Sequence, residues 1–110
     1  MGRVCDVGTV WVDAVRWAGD DPQPGLVEVR LTDAHGIAHP IIDKEPIFGS
    51  EPPLRPDTVY PVRTRLGCTV LDARVVRGRE LVTITTALPY GVESASGRTE
   101  FEVTPDQLTD

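Results

Sequence analysis

Both histidines of this chain, its only lysine and a group of carboxylates fall within or beside one stretch, Leu26 to Phe48. His35 and His39 stand four residues apart, with Asp33, Asp43 and Glu45 close by. Imidazoles and carboxylates at such spacing are the ingredients of a metal site or of general acid–base chemistry. On a helix, a four-residue step would put both imidazoles on one face. Here the pair flanks a tight Asp33-Ala34-His35-Gly36 turn and the strand that returns from it. His35 and His39 share strand parity, but His35 sits in the turn itself, so the spacing alone does not make the rings converge. The other reading of the same residues is a turn histidine plus a strand histidine with ordinary partners. Asp33, His35, His39 and Asp43 are therefore the candidates for a small metal-binding or hydrolytic centre.

Asp43 and Glu45 share strand parity on either side of Lys44. Paired carboxylates serve as acid and base when burial raises one pKa. A solvated strand edge carries the same residues, with charge discouraging edge-to-edge pairing. The hydroxyls of Thr83, Thr85, Thr86, Ser94, Ser96 and Thr99 lack a nucleophile context such as G-x-S-x-G. The run Gly91 to Gly97 lacks the lysine and spacing of a phosphate loop. No C-x-x-C occurs, and Cys5 and Cys68 each sit among apolar neighbours, where a free thiol serves as a small buried hydrophobe. No catalytic residue and no cofactor are assigned from these patterns.

The elements that position these residues read as strands. Leu26 to Thr32 alternates cleanly, with Val27, Val29 and Leu31 on one face and Glu28 and Arg30 on the other. Ile37 to Ile42 forms the returning strand, and Pro40 in its middle predicts a sheet edge or a bulge. Thr9 to Trp17 is a further strand, followed by a Gly19–Gly25 loop holding two prolines, two glycines and two acids. Pro46-Ile47-Phe48 is an apolar finish that plugs a core. Gly49 to Pro61 holds four prolines and forms a long excursion pinned by Leu54, Val59 and Tyr60, and loops of that length in a small domain are often functional. Val62 to Val76 and the β-branched Leu81–Ala87 make a hairpin around Arg77-Gly78-Arg79-Glu80. Arg98 to Val103 is the last strand, with Phe101 and Val103 inward. Thr104-Pro105 starts a single helical turn.

The chain of 110 residues, 40% hydrophobic and 25% charged, suits one β-domain spanning 1–110. The fold class expected is all-β: a small six- to seven-stranded antiparallel barrel or sandwich with a long Pro-rich loop and at most a short C-terminal helical turn. No apolar run approaches a membrane span, and the N-terminal segment lacks the apolar stretch of a secretory signal, so a cytoplasmic address is expected.

Seventeen acids against eleven bases give a formal charge of −6. That balance repels phosphate backbones unless the bases gather on one face, so nucleic acid is not expected as a partner. A basic protein partner is the better match. Trp17, Asp20, Asp21, Glu51 and Asp57, all in or beside loops, are the residues expected to meet it, because tryptophan anchors interfaces and acids steer a cationic partner. Pairing of two copies through the Ile37–Ile42 edge is a further expectation.

The runs Leu26–Gly36 and Asp43–Phe48, with Tyr60-Pro61, Gly91–Ser94 and Phe101–Val103, resemble a widespread group of small uncharacterised bacterial proteins, the actinobacterial members above all. No activity is established for that group, so the resemblance implies no site residues. Some small acidic bacterial proteins are immunity proteins that neutralise toxins, and that analogy fits a non-enzymatic binding module.

Overall fold

The computed structural model describes residues 6–109. Within them the chain is all-β, with no helix longer than a 3-10 turn. Seven strands follow in order: β1 (Asp6–Gly19), β2 (Leu26–Thr32), β3 (Ala38–Lys44), β4 (Val62–Val76), β5 (Arg79–Thr85), β6 (Glu100–Val103) and β7 (Leu108–Thr109). They form one antiparallel sheet in the order β3-β2-β1-β4-β5-β6, and β7 returns to pair with Thr9 and Val10 of β1. The sheet thus curls into a half-closed barrel.

Alternation decides the inside. Val10, Val12 and Ala14 of β1 meet Val27, Val29 and Leu31 of β2, Ile41 of β3, Leu66 and Cys68 of β4, Ile84 of β5, and Phe101 and Val103 of β6 in one core. Phe48, in the 3-10 turn Glu45–Phe48, is fully buried and plugs it, as its apolar context predicts. Thr64 donates from Oγ1 to the Phe48 carbonyl oxygen at 2.7 Å, which fixes the plug to β4.

Two long strands carry bulges that simple alternation does not foresee. In β1 the register slips between Ala14 and Arg16, so Trp17 pairs with Val27 and turns onto the core side. In β4 the slip falls between Val70 and Asp72. Thr69 and Ala73, of equal parity in sequence, therefore stand on opposite faces. The β4–β5 hairpin is tighter than its sequence predicts, because Arg79 and Glu80 already belong to β5. Its two loop residues, Arg77 (φ 56°) and Gly78 (φ 78°), are both left-handed, the pattern of a type I′ turn.

The Pro40 strand, β3, is the sheet edge that its proline predicts. Part of that edge is covered, since Ala95 N–H donates to the Pro40 carbonyl at 2.8 Å. Of the three residues expected to pin the Pro-rich loop, Leu54 is buried and Tyr60 packs against the core, whereas Val59 is 87% exposed. Cys68 lies in the core as expected, and Cys5 lies outside the described residues. The short C-terminal turn spans Pro105–Gln107, with Gln107 Oε1 accepting from Thr104 N–H. No helix among the described residues is long and apolar enough to cross a membrane.

Candidate functional site

The histidine hairpin is built around one buried carboxylate. Asp33 closes the β2–β3 turn: its Oδ1 accepts N–H groups from His35 (2.8 Å) and Ile37 (3.0 Å), the way a short acidic side chain shapes a turn. Its Oδ2 lies 2.8 Å from Nε2 of His39. His39 faces inward opposite Leu31, and its ring meets Phe101 edge-on at 4.9 Å. Burial pushes the Asp33 carboxyl up, but the hydrogen bonds from His39 and from the Ile37 and His35 amides outweigh it, so the group is held below its ordinary value.

His35 turns the other way. Its Nε2 lies 2.8 Å from Glu102 Oε1 on β6, and the second oxygen of Glu102 accepts from the Arg74 guanidinium of β4. The hydrogen bond with His35 and the Arg74 contact hold the Glu102 carboxyl below its ordinary value. The turn is also bound through its backbone. Ala34 N–H donates to the Glu102 carbonyl, Arg79 donates to the Ala34 carbonyl, and Gln107 Nε2 donates to that of Thr32. The whole constellation latches the β2–β3 hairpin onto β5 and β6 where the sheet curls shut.

The two imidazoles thus serve different carboxylates. Asp43 lies four residues beyond His39 along β3, a strand distance of about 13 Å, and its Oδ1 accepts Lys44 N–H. Among the described residues no three His, Cys, Asp or Glu side chains gather as an ion would need. A general base wants a free lone pair and a raised pKa. Asp33 has three of its acceptor sites engaged, and its carboxyl is held below the ordinary value.

The loop acids occupy a different place. β1 ends, β2 begins, β3 ends and β4 begins at one end of the barrel. The strand ends and loops there, residues 19–25 and 43–61, carry Asp20, Asp21, Asp43, Glu45, Glu51 and Asp57 against only Lys44 and Arg55. This end therefore holds four of the six excess negative charges. Asp21, Glu51 and Asp57 are exposed and form no ion pair or side-chain hydrogen bond among the described residues. Asp20 accepts from Trp17 Nε1 at 2.8 Å.

Trp17 is half-buried. Its ring lies over Gly25 so closely that a Cβ there would sit 2.2 Å from Cζ2. It braces the 19–25 loop from below and presents part of its edge beside the acids. The Pro-rich loop is ordered by its own bonds. Glu45 Oε2 accepts Leu54 N–H at 3.0 Å, Thr58 Oγ1 accepts Arg55 N–H at 2.9 Å, and Tyr60 donates to the Arg55 carbonyl at 2.7 Å. The acids are thus displayed on a fixed frame.

A basic face escaped the sequence reading. Trp11 on the outer side of β1 has the Arg63 guanidinium 4.5 Å and that of Arg65 6.0 Å from its ring centroid. The arginines look scattered in sequence, and strand pairing collects them: Arg65 opposite Trp11, Arg63 opposite Asp13, Arg30 across from Asp13 on β2. The one signal available was their odd spacing, 63 and 65, within a strand.

Comparison with protein-family models, with curated proteins and with solved structures found no match.

Proposed function

We propose that this chain is a non-enzymatic protein-binding module whose acidic end caps a basic partner, as an immunity protein covers a cationic toxin. The observation that carries the reading is the gathering of Asp20, Asp21, Glu51 and Asp57 at one barrel end, on loops braced by Trp17 and Leu54. Fixed carboxylates with few neighbouring cations speed encounter with a positive surface and penalise wrong partners. Rigid display lowers the ordering cost of binding. The same reading places the protein in the cytoplasm, where Cys68 stays a thiol.

Affinity capture by the tagged chain from its host's lysate, at low and at high salt, tests the reading. A stoichiometric basic protein retained at low salt and released at high salt supports it. An empty capture at both salts contradicts it.

A further inference from the structure

The part of β4 between Val62 and Cys68 has β1 on one side, while β5 joins it only from Thr69 onward. Among the described residues no strand pairs with 62–68 on the side away from β1. The 45–50 segment stands across that edge, and its hydrogen bond to it runs through the Thr64 side chain to the Phe48 carbonyl, not backbone to backbone.

Along this strand runs a groove of two lobes, each about 290 Å³, that share Gly49 and Arg65. One lobe is walled by Trp11, Arg63 and Glu51, the other by Ile47, Pro89 and Tyr90. Tyr90 packs over Gly67, where a Cβ would approach its ring to 2.8 Å, so the missing side chain shapes the second lobe. Arg63 and Arg65 are exposed and, among the described residues, form no ion pair.

We propose that this groove binds an extended peptide as an added strand along β4 62–68, with a carboxylate side chain on Arg63 and Arg65 and an apolar side chain against Ile47 and Tyr90. A strand edge offers N–H and C=O groups spaced for another polypeptide backbone, and flanking pockets then select alternate side chains. Charge complementarity picks an acidic peptide, because the exposed Arg65 guanidinium borders both lobes and forms no ion pair among the described residues, with Arg63, stacked on Trp11, beside it. Single-stranded nucleic acid fits less well. It needs successive stacking platforms, but here one tryptophan stands with Arg63 already over its ring, in a chain of net charge −6. The groove is a second surface, opposite in sign to the acidic end and meeting it at Glu51, so the two are separated by variants at Asp20, Asp21 and Asp57.

The test selects a random dodecapeptide phage library on the full chain, then titrates the synthesised consensus peptide into ¹⁵N-labelled protein. Expected are acidic and apolar residues at alternating positions, shifts centred on 62–68, and slowed amide exchange there. Arg65→Glu, at an exposed position, is expected to weaken binding about tenfold or more. Charge reversal at Asp20, Asp21 and Asp57 leaves this binding intact, which separates the groove from the acidic end. The proposal is overturned by a library that yields no consensus, by peptides that leave 62–68 unprotected, or by peptides that bind Arg65→Glu equally well. It is likewise overturned if oligothymidylate, or the protein's own concentration, moves the 62–68 amides where the peptide does not.

Discussion

Asp33 and His39 meet at 2.8 Å across the β2–β3 hairpin, with the carboxylate and most of the imidazole withdrawn from solvent. The pair lies in a seam whose contacts tie the hairpin to β5, to β6, to Gln107 and to its own turn. Asp33→Ala would leave the His35 and Ile37 amides and the His39 ring without their acceptor. The expected cost is about 1–3 kcal/mol, read as a lowered urea midpoint. A far smaller loss would mean that the seam closes without this carboxylate.

The seam also predicts an acid dependence. Asp33 and Glu102 are both held below their ordinary values, so the folded protein binds fewer protons there than the unfolded chain. Their contribution is complete above the ordinary carboxylate values, near pH 4, and is lost as pH falls through the lowered ones. Urea midpoints measured from pH 7 down to pH 3 are expected to drop in the acid range. The double variant Asp33→Asn, Glu102→Gln should flatten that drop.

Gly25 adopts φ +119° beneath the Trp17 ring, so Gly25→Ala meets both backbone strain and a ring it cannot avoid. A loss of about 1–3 kcal/mol is expected. Displacement of Trp17 should also break its bond to Asp20 and shift tryptophan emission to the red.

Arg77 holds a left-handed φ of 56° in the β4–β5 turn, a conformation costly to a long side chain. Arg77→Asn converts the turn to Asn-Gly, the preferred pair for this geometry, and is expected to raise stability by about 0.5–1 kcal/mol. Thermal midpoints of the two proteins check this.

Cys68 is fully buried, and burial pushes its thiol up to about 11. Iodoacetamide at pH 8 should leave it unmodified in the folded chain and modify it in urea, as peptide mass spectrometry reads.

Much of this architecture is legible from residues alone. The alternation of Val27, Val29 and Leu31, the edge proline at 40 and the β-branched run of β5 point to an antiparallel β-domain because period-two burial is a local property. Bulges are not local. Nothing near Val15 or Leu71 announces the slip that turns Trp17 inward or splits Thr69 from Ala73. β7 pairs two residues with a strand about a hundred positions away, which composition cannot foresee. The histidines were visible as candidates, and Asp33, the partner of His39, lies within the same hairpin, but the partner of His35 depended on where β6 lands, and Glu102 of β6 claimed it. The Trp11 face stayed hidden for the same reason: it exists only once β1, β2 and β4 are aligned.

The central claim, binding through the acidic end, is tested most directly by repeating the host-lysate capture with wild-type protein and with Asp20→Lys, Asp21→Lys, Glu51→Lys, Asp57→Lys combined. All four side chains are exposed, so the fold should survive, as circular dichroism will verify. The account predicts a basic protein retained by wild type at low salt, released at high salt and missing from the variant. Equal recovery of the same protein by both forms would contradict it.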